Sequence, residues 1–171
     1  MTAIIDYKAG NLTSVKLAFA ALGAETLVTS DPKAIAAADR VVFPGVGAAR
    51  SAMENLKAFG LVDAVKEAAA TKPFLGICLG IIPGRVRRFP SVPGFKVPEI
   101  GWNGVEGLDG KEFYFVHSYC AEVVPETTGV AEYAGVRFTA MVRKGRLWAC
   151  QFHPEKSGRI GLELLKEWLS C

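Results

Sequence analysis

Cys78 stands at the centre of Gly76-Ile77-Cys78-Leu79-Gly80, directly after the apolar run PFLGI. A sharp turn from strand to helix forces its central residue into a strained conformation and needs small neighbours so that backbones do not clash. Such a turn lifts a nucleophile to the carboxyl edge of a sheet, where open α/β sheets place their ligands and free N–H groups favour a thiolate and an oxyanion. The same five residues also fit a small buried core thiol. The chain has two histidines. His153 follows the strand-like LWACQF, Pro154 fixes the turn behind it, and Glu155 is placed to hold the second imidazole nitrogen. In the order Cys78, His153, Glu155 these groups suit acyl transfer through a thioester, although His153 also reads as a surface turn residue. His117, in FYFVHSY, has the same strand-end setting without a carboxylate close behind it, and ranks second as a base. The stretch Gly45-Val46-Gly47 permits close backbone approach and free N–H groups that could complete an oxyanion hole. It falls short of a dinucleotide fingerprint because Arg50 stands where the third glycine belongs.

The elements that must carry these residues follow from the apolar pattern. In the first half TAIID, TLVT, RVVFPG and PFLGI read as strands. Residues 12–22 read as a helix with Leu12, Val15, Leu17, Phe19 and Leu22 on a broad stripe ended by Gly23. Asp31-Pro32 opens a short helix, and further helices are expected from about Ala48 and over LVDAVKEAAA. Alternating strands and helices imply parallel strands with helices on both faces. Beyond Pro83 the runs near 85–89, 112–116, 120–124, 130–134, 136–143 and 147–150 read as hairpins added to one edge of the sheet. The final GRIGLELLKEWLSC returns to helical spacing, with Ile160, Leu164, Leu165 and Leu169 on one side. The expected architecture is an α/β fold: an open, mostly parallel sheet flanked by helices on both faces, with antiparallel hairpins in the C-terminal half. One domain over residues 1–171 accommodates all of it.

Composition excludes several classes. With 171 residues, 50% of them apolar, the chain can bury a sizeable core. A net charge of +3 clusters only at Arg85, Arg87 and Arg88, which reads as the wet face of a strand, so nucleic acid is a poor partner. No apolar run reaches the ~18–20 residues that span a bilayer, and no basic start precedes a long apolar stretch; a cytoplasmic protein with no membrane partner is expected. Cys78, Cys120, Cys150 and Cys171 form no C-x-x-C pair and read as reduced thiols. Without a P-loop, an H-E-x-x-H or paired zinc spacing, neither a catalytic metal nor a cofactor is expected.

GICLG followed far downstream by HPE resembles the class I, triad-type glutamine amidotransferases, in which a cysteine attacks the side-chain amide of glutamine and ammonia is released. Within that class DYKAGNLTSV, FPGVG, IPGRVRRF, GWN at 101–103, FVHSY and HPEKS are similar, in order, to the glutaminase subunits of imidazole glycerol phosphate synthase. The resemblance implies that Cys78 is the nucleophile, His153 the general base and then acid, and Glu155 the residue that orients it. It assigns the oxyanion hole to the Leu79 amide with an N–H from Gly45, Val46 or Gly47. His117, Ser118 and Tyr119 would lie beside the glutamine pocket, in support rather than in chemistry. Asn11, Trp102 and Lys156 would lie near a partner-facing surface, though Asn11 reads equally as a helix cap and Trp102 as a half-buried strand-end aromatic. The implied partner is a (β/α)8-barrel cyclase subunit, bound as a heterodimer. It takes up the ammonia to make imidazole glycerol phosphate and AICAR in histidine biosynthesis, and it wakes a glutaminase that is nearly silent alone.

Three departures accompany the resemblance. In the family the cysteine turn runs on into a helix carrying a glutamine-binding Gln. Here Gly80 is followed by Ile81, Ile82 and the turn pair Pro83-Gly84, and two residues make no helix. A stretch of roughly two to three dozen residues, the length that the resemblance implies, is therefore expected to be missing between Gly80 and Ile81. Its absence leaves open a non-catalytic subunit of the same fold, or a sister amidotransferase of another pathway. Glu99 stands where the family usually has histidine, and Lys8 where glycine is common.

Overall fold

Buried parallel strands, apolar on both faces, account for the first half of the chain. In order it forms β1 (Thr2–Ile5), α1 (Leu12–Ala21), β2 (Thr26–Thr29), α2 (Pro32–Ala37), β3 (Arg40–Pro44), α3 (Ala49–Ala58), α4 (Val62–Thr71) and β4 (Phe74–Ile77). The second half is β5 (Val86–Arg88), β6 (Glu99–Gly104), β7 (Glu112–His117), β8 (Tyr119–Ala121), β9 (Thr127–Tyr133), β10 (Val136–Lys144), β11 (Leu147–Cys150), a single 3-10 turn (Pro154–Lys156) and α5 (Gly158–Leu169). The computed structural model describes residues 1–8, 10–45, 49–78 and 85–171, the side chains of 49 and 50 excepted.

The main sheet has the order β2-β1-β3-β4-β11-β10-β9, parallel from β2 through β11 and antiparallel beyond it. Alternate residues of each strand face opposite layers. Ile4, Val42, Leu75 and Ile77 pack with Phe19 of α1 and with Leu164, Leu165 and Trp168 of α5. Ile5, Val41, Phe43 and Phe74 pack on the other side with Ile35 of α2, Leu56 of α3 and Val65 of α4. Helices thus cover both faces, as the alternating pattern predicted. Each large side chain so buried contributes about 1.5–3 kcal/mol.

Local signals set the helix ends. The Asn11 side chain accepts from Ser14 N at 3.1 Å to cap α1, and Gly23 ends it at φ +70°. Asp31 caps α2 ahead of Pro32 at its first position. Leu17 leaves the expected stripe and is exposed, because positions two apart from Val15 and Phe19 lie on the far side of a helix.

The hairpin region is less uniform than a single decorated edge. β9 and β10 extend the main sheet, whereas β5 pairs with β8 and β6 with β7 in two separate two-stranded sheets. β11, expected among the hairpins, lies inside the main sheet, parallel to β4. β6 was not among the expected strands, although Trp102 read as a half-buried strand-end aromatic: EIGWNG carries an exposed Ile100 and Trp102 and two glycines. Arg85, Arg87 and Arg88 are exposed as predicted.

Candidate active site

Because β4 and β11 are adjacent and parallel, Cys78 and the segment after Cys150 leave the sheet side by side at its carboxyl edge. The Cys78 N–H donates to Cys150 O at 2.7 Å. Cys78 has φ +56°, a left-handed conformation that costs a residue other than glycine of order 1–3 kcal/mol. The neighbouring strand meets it through glycine: Gly45 N donates to Ile77 O at 2.6 Å, and a Cβ on Gly45 would press on Ile77 O and on Cys78 O at 2.5 Å. The strained turn expected at Cys78 is therefore seen in its own backbone, and Gly45 approaches it closely. Val46, Gly47, Leu79 and the Gly80–Ile81 junction lie outside the described residues.

Beyond Cys150 the chain bends away from the sheet. Phe152 is fully buried, stacked on Phe113 with ring centroids 4.1 Å apart, while Gln151 and His153, two residues apart, both turn to Cys78. His153 Nδ1 lies 2.8 Å from Glu155 Oε1, with the carboxylate almost wholly buried. The Cys78 thiol acts on the His153 imidazole from its other side. Burial alone would disfavour the imidazolium, but the hydrogen bonds to Cys78 and Glu155 and the fields of both outweigh it and push His153 up to about 9. Cys150 is the opposite case: burial raises its thiol well above the usual range and it is held against Gly76 O.

The backbone around His153 is gripped from β7. Tyr114 O accepts from His153 N at 2.8 Å, Tyr114 N donates to Ser157 Oγ at 3.0 Å, and Ser157 Oγ donates to His153 O at 2.6 Å. Gly161 of α5 packs so closely on the turn that a Cβ would collide with Pro154 O. Tyr114 and Ser157 were not singled out from sequence. A tyrosine in an alternating strand and a serine in a turn signal nothing until the strand is laid beside the turn.

The second histidine is placed otherwise. His117 is buried among the rings of Phe89, Phe115 and Phe138, with Nε2 2.9 Å from Glu99 Oε2 and Nδ1 2.8 Å from Tyr119 O. Its carboxylate comes from the facing strand, since β6 and β7 pair Glu99 with His117. Ser118 lends its carbonyl to Phe89 N and Tyr119 is exposed. Of the remaining candidates, Trp102 is 55% exposed and stands edge-on to Tyr114, whose ring centroid is 6.0 Å from Lys156 Nζ. Asn11 serves as the α1 cap, and α1 packs against the 154–156 turn. Among the described residues no group of His, Cys, Asp and Glu could hold a metal, and no helix is long and apolar enough to cross a membrane.

A sulfur beside an imidazole that is itself hydrogen-bonded to a carboxylate, at the carboxyl edge of a parallel sheet, can perform acyl transfer. Comparison with known proteins then decides the family. The chain is 45% identical over 204 positions to the imidazole glycerol phosphate synthase subunit HisH of Dechloromonas aromatica, covering 98% of this chain and 94% of the relative. It is 44% identical over 197 positions to that of Methanothermobacter thermautotrophicus, covering 99% and 98%. This chain belongs to the HisH family. The HisH protein of Streptococcus sanguinis is also similar, at 39% over 196 positions, covering 98% and 95%. No family model matches. Among solved structures the fold is shared with a glutamine amidotransferase at TM-score 0.72 and 20% identity, covering 99% of each chain. A glutamine amidotransferase from Thermotoga maritima aligns at TM-score 0.60 and 19% identity, covering 99% and 83%. The HisH alignments run from 196 to 205 positions against a chain of 171 residues. Even the shortest leaves at least 25 positions of the relative with no counterpart here.

Proposed function

We propose that this chain, as a HisH-family glutamine amidotransferase, hydrolyses glutamine at Cys78 and passes the ammonia to a cyclase subunit. The carrying observation is the series Cys78, His153, Glu155, in which the imidazole touches the thiol on one side and the carboxylate on the other. An imidazole pushed up to about 9 holds its proton near neutral pH beside the sulfur, ready to supply it within the reaction. The Cys78 sulfur adds to the amide carbonyl of glutamine, and backbone N–H groups of the 45–47 stretch and Leu79 are our candidates to hold the oxyanion. His153 then gives its proton to the departing nitrogen, which leaves as ammonia. Neutral His153 takes a proton from water as it attacks the thioester, and glutamate leaves as the thiolate is restored. Glu155 keeps the ring oriented throughout.

HisH relatives are named as subunits of imidazole glycerol phosphate synthase. We assign the same association to this chain, as a cytoplasmic heterodimer with a (β/α)8-barrel cyclase in histidine biosynthesis, with Asn11, Trp102 and Lys156 on the docking face and His117, Ser118 and Tyr119 supporting the glutamine pocket. We read the chain as a single domain, and we place the positions that its relatives alone carry between Gly80 and Ile81. That gap favours a second reading, a docking subunit with weak glutaminase or none, because the wall of the pocket beyond the cysteine turn would be incomplete. One assay separates the two. Glutamine hydrolysis is measured alone and with the cyclase subunit of the same organism loaded with its nucleotide. Activity in the second case that Cys78→Ala abolishes, with binding to the cyclase retained, supports the amidotransferase. Equal rates for Cys78→Ala and the wild type overturn it, and binding without hydrolysis selects the second reading.

A further inference from the structure

The sulfur of Cys78 has a second donor beside His153. Gln151 Nε2 lies 3.6 Å from Cys78 Sγ, an ordinary separation for N–H···S. The side chain is aimed by its surroundings. Gln151 N donates to Ala140 O at 2.8 Å and Phe152 is locked in the core by Phe113, which holds the backbone on both sides of the Gln151 side chain. Among the described residues, the titratable groups around this sulfur are His153, Glu155 behind it and the Cys150 thiol, which burial keeps protonated. None is a fixed donor: His153 must surrender its proton within the reaction, and Cys150 is directed to Gly76 O. A carboxamide keeps its N–H at every pH.

We propose that Gln151 is a further catalytic residue, whose carboxamide donates to the Cys78 thiolate and stabilises it both as the attacking nucleophile and as the group expelled when water cleaves the thioester. The second role is the one His153 cannot fill. While neutral His153 accepts a proton from the attacking water, the sulfur regains its negative charge and Gln151 supplies a donor already in place. The proposal rests on the reading of Cys78 as nucleophile, but its test does not need turnover.

Alkylation by iodoacetamide from pH 5 to 10 is followed by peptide mass spectrometry in the full chain, reading Cys78 against the exposed Cys171 as an internal reference. In Gln151→Met, which keeps the length and loses the donor, the midpoint for Cys78 rises by about one pH unit. In Gln151→Glu it rises further, because a carboxylate repels the thiolate. The Cys171 profile stays fixed in both. A Cys78 midpoint in Gln151→Met indistinguishable from wild type overturns the proposal even if Gln151→Glu fails to fold. Failure of the nucleophile reading shows itself separately, as glutamine hydrolysis that survives Cys78→Ala.

Discussion

The carboxylate of Glu99 meets the Nε2 of His117 at 2.9 Å across paired strands, with both side chains almost fully buried. The other ring nitrogen faces the Tyr119 carbonyl, which can only accept, so His117 Nδ1 carries a proton and one further proton is shared with Glu99. Asn103 closes the network, donating to Glu99 Oε1 and to Glu132 O at 2.9 Å each, and thereby ties β6 to β9.

That geometry separates two substitutions. In Glu99→Gln the new amide donates to a neutral Nε2 while its oxygen still accepts from Asn103, so every group keeps a partner and the loss stays below about 1.5 kcal/mol. Glu99→Ala leaves the buried Nε2 of His117 without a partner and removes one of the two bonds that Asn103 donates, at about 3 kcal/mol. Urea unfolding of the two variants checks this; equal losses would mean that the pair acts through its charge rather than through its hydrogen bonds.

A prediction in pH follows from His153, whose folded value of about 9 exceeds the ordinary 6.5. A group raised in the folded state stabilises fully below the unfolded value, and that contribution disappears as pH climbs through the folded one. The contribution, about 3 kcal/mol, should therefore be complete below pH 6.5 and fade between 6.5 and 9. Glu155→Gln removes one of its two sources, so the variant's stability should fall less steeply over that window. With only two histidines in the chain, an NMR titration can follow the His153 ring directly, and its midpoint should move down in the variant. An unmoved midpoint would assign the whole effect to Cys78. Hydrolysis should drop by two or more orders of magnitude in Glu155→Gln, as expected when the orienting acid of a triad is neutralised.

Gly45 gives a steric prediction. A methyl group there meets main-chain oxygens of Ile77 and Cys78, which cannot give way without moving the strained turn. Gly45→Ala should cost about 1–3 kcal/mol and most of the glutaminase activity. Gly104→Ala, where the nearest atom is Gly110 O at 3.8 Å, serves as the control and should do neither. Thermal unfolding and the hydrolysis assay read both variants; equal behaviour would remove the close approach from the explanation.

Residues whose setting is local were legible from sequence: a buried strand ending in Gly-x-Cys, and a histidine two residues before a glutamate, specify their own surroundings. Residues whose role comes from a distant neighbour were not. Glu99 looked like a simple departure from the family until β6 was laid against β7. Gln151 sat unremarked between a cysteine and a phenylalanine, and Tyr114 holds the His153 loop by its main chain, which no side-chain pattern reveals. β6 itself escaped because the stretch is short and holds two glycines, and its alternating isoleucine and tryptophan face outward while Glu99 is the buried residue.

The last prediction concerns the positions that HisH relatives carry and this chain does not, at least 25 of them. A cysteine turn gains from a helix behind it, through the N-terminal dipole and free N–H groups, and the positions that the relatives carry are our candidates to supply one. Grafting the corresponding stretch of a HisH relative between Gly80 and Ile81 should raise cyclase-stimulated glutamine hydrolysis at least about tenfold, since a completed pocket positions the amide for attack. The parent is first verified by intact mass against 18.3 kDa. Cys78→Ala in the graft should return the rate to zero, tying the gain to this sulfur. A graft that folds and binds the cyclase yet hydrolyses no faster would place the missing positions elsewhere and leave the chain's own turn sufficient for its chemistry.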